Sequence, residues 1–175
     1  MALRAASKPA VRVMGIDPGL NITGYGLIEC AAREAILVEA GVIRPPRNAR
    51  NIGEDNLPQR LEILFEELRD LLEEFAPKIM CLEEVYSHAF YPQTAIRMSH
   101  ARGVICLAAS LNGVPVVNLA AKRIKQSVTG NGNASKMQVQ RAVRQHFALE
   151  RVPHPPDVAD ALAAALCYAN SVGKR

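Results

Sequence analysis

The stretch Val11–Gly26, VRVMGIDPGLNITGYG, decides the fold. Val11 to Ile16 reads as a buried strand that carries a carboxylate, Asp17, to its end, after which Pro18-Gly19 turns the chain into a second strand. In an open α/β sheet, ligands gather beyond the carboxyl ends of the strands, so an acid at that place is a candidate ligand-binding group. On these residues alone, a turn-forming Asp-Pro-Gly without function reads equally well. The remainder of the chain has to separate the two.

Working outward, strand patterns recur at Thr23–Cys30 and, after the connection Ala31–Glu34, at Ala35–Ile43. Three strands so close together are most simply joined as an antiparallel meander. Arg44–Asn51 is basic, polar and proline-broken, a surface loop whose arginines are either solvated or on phosphate. From Glu54 to Phe75 the residues Leu57, Leu61, Leu64, Leu68, Leu71 and Phe75 form one stripe of an amphipathic helix stopped by Pro77. Lys78–Leu82 is a short apolar run of the kind found in central parallel strands, and it ends in Glu83 and Glu84. This is a second strand with carboxylates at its end. The following segment, Val85–Tyr91, holds Tyr86, His88, Phe90 and Tyr91, which either seal the edge of the core or stack on unpaired bases.

A helix is expected over Gln93–Asn112, closed by Gly113. Its small residues Ala101, Gly103, Ala108 and Ala109 permit close approach of a neighbour, and Arg97, His100 and Arg102 lie on or near its exposed side. Val114–Val117 reads as a further strand. Ala121–Val128 reads as a helix with Lys122, Arg123 and Lys125, followed by a flexible Thr129–Asn133. Ser135 can cap another helix that runs through Phe147 and bears Lys136, Arg141 and Arg144. Ala120–Leu149 contains no Asp or Glu, and so one-signed a surface favours a phosphate backbone over plain solvation. The last helix follows Pro153-His154-Pro155-Pro156 and opens with Asp157 and Asp160 on one face. Asp157 reads as an N-cap as well as a ligand, whereas Asp160 begins an otherwise apolar face and has no such second reading. Together these elements predict an α/β protein with a central mixed five-stranded sheet, a three-strand antiparallel meander plus two parallel strands, flanked by helices.

At 175 residues the chain has length for one well-buried domain, here 11–172, behind a loose N-terminal extension, 1–10. A net charge of +4 leans mildly toward an acidic partner. The four cysteines stand far apart in apolar surroundings without ligand spacing, which suits buried thiols in a reducing compartment. No run has the length of a membrane span and the first ten residues lack the apolar segment of a signal peptide, so a cytoplasmic protein is expected.

Asp17, Glu83, Asp157 and Asp160 all stand where elements meet one edge of the expected sheet. At about 4 to 5 Å, each ionised pair would repel by about 3 to 4 kcal/mol at an effective dielectric near 20. Such a cluster makes sense when divalent cations neutralise it, and hard oxygen donors without Cys or His point to Mg²⁺ or Mn²⁺. Two such ions per site suit phosphodiester cleavage.

The residues resemble the RuvC family of bacterial Holliday junction resolvases over almost the whole chain after the first ten. The marks are Gly15-Ile16-Asp17-Pro18-Gly19 with Thr23-Gly24-Tyr25-Gly26, then Leu82-Glu83-Glu84-Val85-Tyr86 and Ala101-Arg102-Gly103-Val104. Lys125-Gln126, Gly130-Asn131-Gly132, Lys136 and Asp157-Val158-Ala159-Asp160-Ala161-Leu162-Ala163 complete the set in order. The resemblance implies a ribonuclease H-like fold and a metal site of Asp17, Glu83, Asp157 and Asp160. It further implies Lys125 and Lys136 near the scissile phosphate and Tyr86 stacked on a base. Arg102 and Lys122 are expected on the DNA as well. A homodimer through the helix Gln93–Asn112, and the RuvA and RuvB branch-migration proteins as partners, follow from the same likeness. Some relatives carry histidine where this chain has Asp157, so no histidine protonation switch is expected there. Two rival readings are weaker. A small actin-like ATPase would need two large lobes, and a junction-binding protein that does not cut would have no use for four intact acids.

Overall fold

Residue parity along the first strand sets the two faces of the sheet. The computed structural model describes residues 10–31, 34–45, 56–84 and 92–172. The N-terminal extension, the tip of the basic loop with Arg47, the expected first turn of the long helix at Glu54, and the aromatic segment with Tyr86, His88, Phe90 and Tyr91 lie outside them. Strand β1 (Val11–Asp17) pairs antiparallel with β2 (Thr23–Ala31), which pairs antiparallel with β3 (Glu34–Ile43). On its other side β1 runs parallel to β4 (Ile79–Glu83), and β4 runs parallel to β5 (Val116–Leu119). The order is β3-β2-β1-β4-β5, the expected mixed five-stranded sheet.

Because side chains alternate across a strand, Met14 and Ile16 join Leu27, Met80 and Leu82 on one face. There they pack with Leu64, Leu68 and Leu72 of α1 (Leu57–Phe75) and Ala101, Ile105, Ala108 and Ala109 of α2 (Pro92–Leu111). Val13, Ile28 and Cys81 occupy the opposite face with Ile124 of α3 (Ala121–Thr129), Val139 and Val143 of α4 (Lys136–His146), and Leu162 and Leu166 of α5 (Pro156–Val172). The same parity places Asp17 with Val13, and Glu83 with Cys81. Both strand-end carboxylates therefore belong to the α5 face.

Helix α5 lies directly on the backbone of β1 and β2. Gly15 is paired with Gly26, and Gly24 with Asp17. A Cβ on Gly15 would run into the Ala161 carbonyl oxygen and come within 2.8 Å of the Ala165 amide nitrogen. A Cβ on Gly24 would run into the Asp157 carbonyl, and one on Gly26 would stand 2.7 Å from Leu162 Cγ. The helix answers with small residues, Ala159, Ala161, Ala163, Ala164 and Ala165, all buried.

Several boundaries differ from expectation, each for a local reason. The last strand begins at Val116 rather than Val114, because Pro115 offers no N–H; its carbonyl instead accepts from the Met80 amide at 3.0 Å. Val114 stays tied to the end of α2 through its amide and the Ala109 carbonyl, 2.9 Å, around Gly113 at φ 66°. Thr129–Asn133 is a hydrogen-bonded turn and not a loose linker. Thr129 Oγ1 donates to the Lys125 carbonyl and accepts from the Asn131 amide, and the Asn133 amide donates to Asn131 Oδ1. Ser135 caps α4 as expected, in a reciprocal box with Gln138. Helix α5 starts at Pro156, so Asp157 lies inside the first turn and the N-cap reading fails. The small residues Ala101, Ala108 and Ala109 of α2 face the core, so they are not available to a second subunit.

Gly15→Ala is therefore expected to lower stability by about 1–3 kcal/mol, since α5 must lift from the sheet. Denaturant unfolding measures it, and an unchanged midpoint would contradict the close contact described.

Candidate active site

The turn after Asp17 is held at both ends. Thr23, fully buried, donates its hydroxyl to the Gly19 carbonyl at 2.7 Å. Arg60 of α1, only 3% exposed, reaches under the turn, with Nη2 donating to the Leu20 carbonyl at 2.7 Å and to Asn21 Oδ1 at 2.6 Å. The sequence reading missed this arginine, although it occupies the same i, i+4 row as Leu64, Leu68 and Leu72, the most buried row of α1. A cation in an apolar row is a signal that it has acceptors inside.

Beyond the ends of β1 and β4 opens a cleft of about 240 Å³ lined by Asp17, Glu83, Asp160, Lys125 and Lys136, with Met98, Ile124 and Val139 among its apolar walls. A second, wider cleft of about 460 Å³ passes over Pro18–Ile22 and takes in Asp157, Arg97 and Met98, sharing Asp17 and Lys136 with the first. The structure thus gathers Asp17, Glu83 and Asp160 in one recess and sets Asp157 at its border. Each arrives for a different reason: Asp17 and Glu83 as last strand residues, Asp157 and Asp160 one helical turn apart on α5.

The electrostatics are those of an excess of negative charge. Burial, then the neighbouring Asp160, Asp157 and Glu83, push the Asp17 carboxyl up from 3.8 to about 7, with Lys136 pulling the other way. Glu83 is also raised, by burial and Asp160, against the opposing pull of Lys125 and Lys136. The Lys136 ammonium lies 3.3 Å from Asp160 Oδ2, and this carboxylate raises its pKa. Its side chain is 76% exposed against 18% for the aspartate, so the lysine reaches into the recess from solvent.

The turn between α3 and α4 delivers that lysine. Gln126 grips it with both ends of its amide, Nε2 donating to the Gly130 carbonyl at 2.7 Å and Oε1 accepting from the Gly132 amide at 2.9 Å. Lys122 is exposed beside Gly132 and lines neither cleft. Arg102, expected on the DNA, has its guanidinium committed within the protein: Nη1 donates to the Glu83 carbonyl at 2.7 Å and Nη2 to Asn118 Oδ1.

Among the described residues, no three acids, histidines or cysteines already close around one point as a finished metal cage. The donor set nevertheless fits a hard divalent cation. Mg²⁺ keeps several waters and takes one or two carboxylates plus substrate oxygens, and repulsion holds bare carboxylates apart.

A carboxyl raised to about 7 keeps, in the folded protein, a proton that the unfolded chain has released above about 4. The Asp17 contribution thus lowers the stability of metal-free protein as pH rises from about 4 to about 7, and is constant above. Asp17→Asn is expected to lose this part of the decline and to melt higher than the parent at pH 8. Thermal melts at pH 5 and pH 8 in chelator check it, and an identical pH dependence in the variant would place the strain elsewhere.

Comparison with known proteins identifies the family and the fold. The family described as crossover junction endodeoxyribonuclease RuvC matches residues 13–168. The RuvC of Rhodopirellula baltica is 47% identical over 155 residues, covering 89% of this chain and 84% of the relative. That of Pelotomaculum thermopropionicum is 40% identical over 163 residues, covering 90% and 92%. Among solved structures, T. thermophilus RuvC in complex with a Holliday junction substrate superposes with a TM-score of 0.82 at 28% identity, covering 94% of this chain and 96% of that one. The yeast mitochondrial Holliday junction resolvase Ydc2 shares the fold, with a TM-score of 0.63 at 15% identity over 93% and 80%. Sequence and fold agree from the first strand to the last helix, and the chain belongs to the RuvC family of crossover junction endodeoxyribonucleases.

Proposed function

We propose that this protein resolves four-way DNA junctions in recombination and repair, nicking two opposed strands symmetrically and leaving 5′-phosphate and 3′-hydroxyl ends. The observation that carries the reading is the recess at the ends of β1 and β4, where Asp17, Glu83 and Asp160 face Lys125 and Lys136. Asp17, Glu83, Asp157 and Asp160 would hold Mg²⁺, two ions per site, with Mn²⁺ able to substitute. When bound, the metal supplies an activated water and charge neutralisation at the phosphorus.

The protein's own groups divide the remaining work. Asp17 and Glu83 sit on strand ends, the most rigid places available, and fix the origin of the site. Lys136 balances Asp160 in the recess and would stabilise the charge that builds up on the phosphate oxygens during attack. Lys125 stands on the Glu83 side of the recess, and Lys122, on the outer face of α3, would meet the backbone further along. Tyr86 would stack on a base at the opened junction centre.

Symmetric cutting needs two sites, and the outward row of α2 suits a homodimer. Ile96, Leu107 and Leu111 are 57%, 53% and 68% exposed, and the space around Gly103 is open. Of the small residues in the sequence-based expectation, Gly103 belongs to this row, while Ala101, Ala108 and Ala109 are on the opposite, core side of the same helix. We take residues 11–172 as one nuclease unit, acting in the cytoplasm with RuvA and RuvB as the family implies; among the described residues no helix is long and apolar enough to cross a membrane.

Incubation with a synthetic four-way junction in Mg²⁺ and in EDTA is the test, with paired nicks expected only in Mg²⁺ or Mn²⁺. Junction left uncut in both metals defeats the enzymatic reading, and equal cutting in EDTA defeats the metal. Lys136→Ala is expected to reduce single-turnover cleavage about 100-fold with junction affinity within about threefold. A proportional fall in both would make Lys136 an ordinary backbone contact.

A further inference from the structure

The peptide that follows Glu83 is held at both polar ends. Its N–H, from Glu84, donates to the Leu119 carbonyl at 2.9 Å, continuing the β4–β5 ladder. Its carbonyl, that of Glu83, has lost its turn in the β1–β4 ladder. Parallel pairing runs as far as Ile16 opposite Leu82, and the next donor due to the Glu83 carbonyl is the N–H of residue 18, which is proline. Arg102 fills that place from α2, Nη1 on the Glu83 carbonyl at 2.7 Å, while Nη2 is anchored on Asn118 Oδ1 of β5. The guanidinium fork therefore joins three elements at the point where the Glu83 carboxylate leaves the sheet.

We propose that Arg102 is a positioning residue of the metal site: it fixes the Glu83 peptide, and through it the direction of the Glu83 carboxylate, in place of the ladder bond that Pro18 cannot make. This rests on the metal-nuclease reading and goes beyond it, since Arg102 then touches neither DNA nor metal. An arginine is suited to the task because it stays charged and offers two parallel N–H groups at fixed spacing. Lysine can replace the charge but not the fork.

Three variants test the clamp: Arg102→Met, Arg102→Lys and Asn118→Ala. The last is at an exposed position and leaves the charge of Arg102 in place. For each, three quantities are read: Mn²⁺ affinity of DNA-free protein, single-turnover cleavage at saturating junction, and the slope of log junction affinity against log salt concentration. Arg102→Met is expected to weaken Mn²⁺ binding about tenfold and slow cleavage at least about tenfold, with the salt slope unchanged. Arg102→Lys is expected to recover little of either, and Asn118→Ala to show the same pattern at about two- to threefold. The proposal is overturned if Arg102→Met reduces the salt slope by about one while Mn²⁺ affinity holds, the signature of a phosphate contact. Should Arg102→Met not fold, Asn118→Ala decides: parental Mn²⁺ affinity and parental rate overturn the clamp. Failure of the parent protein to cut would count against the proposed function alone, because the Mn²⁺ measurements are scored without DNA.

Discussion

Everything in this molecule depends on how closely α5 approaches the sheet. Apolar side chains of ordinary size hold a helix away from a sheet, but here Gly15, Gly24 and Gly26 remove the side chains on the strands, and alanines shorten them on the helix. The backbone of Asp157 is thereby brought against Gly24, and Gly24 is the antiparallel partner of Asp17. Acids from opposite ends of the chain meet because no large side chain stands between helix and sheet. A larger core at this position would be more apolar, yet it would set the aspartates of α5 too far from the strand ends to share a cation.

That approach has an electrostatic consequence. Burial and three neighbouring acids raise Asp17 to about 7, and Glu83 is raised with it. The fold tolerates this because Lys136 supplies one compensating charge from a flexible, exposed stem, at 3.3 Å from Asp160. Packing on both faces of the sheet over-determines the backbone, so the strain falls on protonation instead of on geometry. The recess is in this sense preorganised for positive charge: the mutual repulsion of its carboxylates has already been met by the core.

Much of this was legible in the sequence. Asp17 and Glu83 each end an apolar run, and Asp160 stands out as an acid opening an apolar helix face; that the two strand-end acids share a face follows from the pairing of β1 with β4. What was not legible depends on partners far away in the chain. The reading of Asp157 as a cap was locally sound, and failed because Pro156 takes the first helical position. The small residues of α2 suggested close approach of a neighbour, and three of them, Ala101, Ala108 and Ala109, meet that neighbour in the core, whereas Gly103 is exposed. Arg60 drew no reading and Arg102 read as an exposed cation, because a side chain's acceptors, here carbonyls of the turn after β1 and of the end of β4, leave no periodic trace. Thr129–Asn133 looked loose because its Gly and Asn content suggests flexibility, while its order comes from the Gln126 amide.

The placement of α5 also bears on the order of events during synthesis. Strand β1 is made early and the α5 helix late, and domains assemble as the chain emerges from its N-terminus. A half-made chain carries Asp17 and Glu83 but not the helix that bears Asp157 and Asp160. The four carboxylates therefore cannot come together until α5, the last of the described elements, has been made.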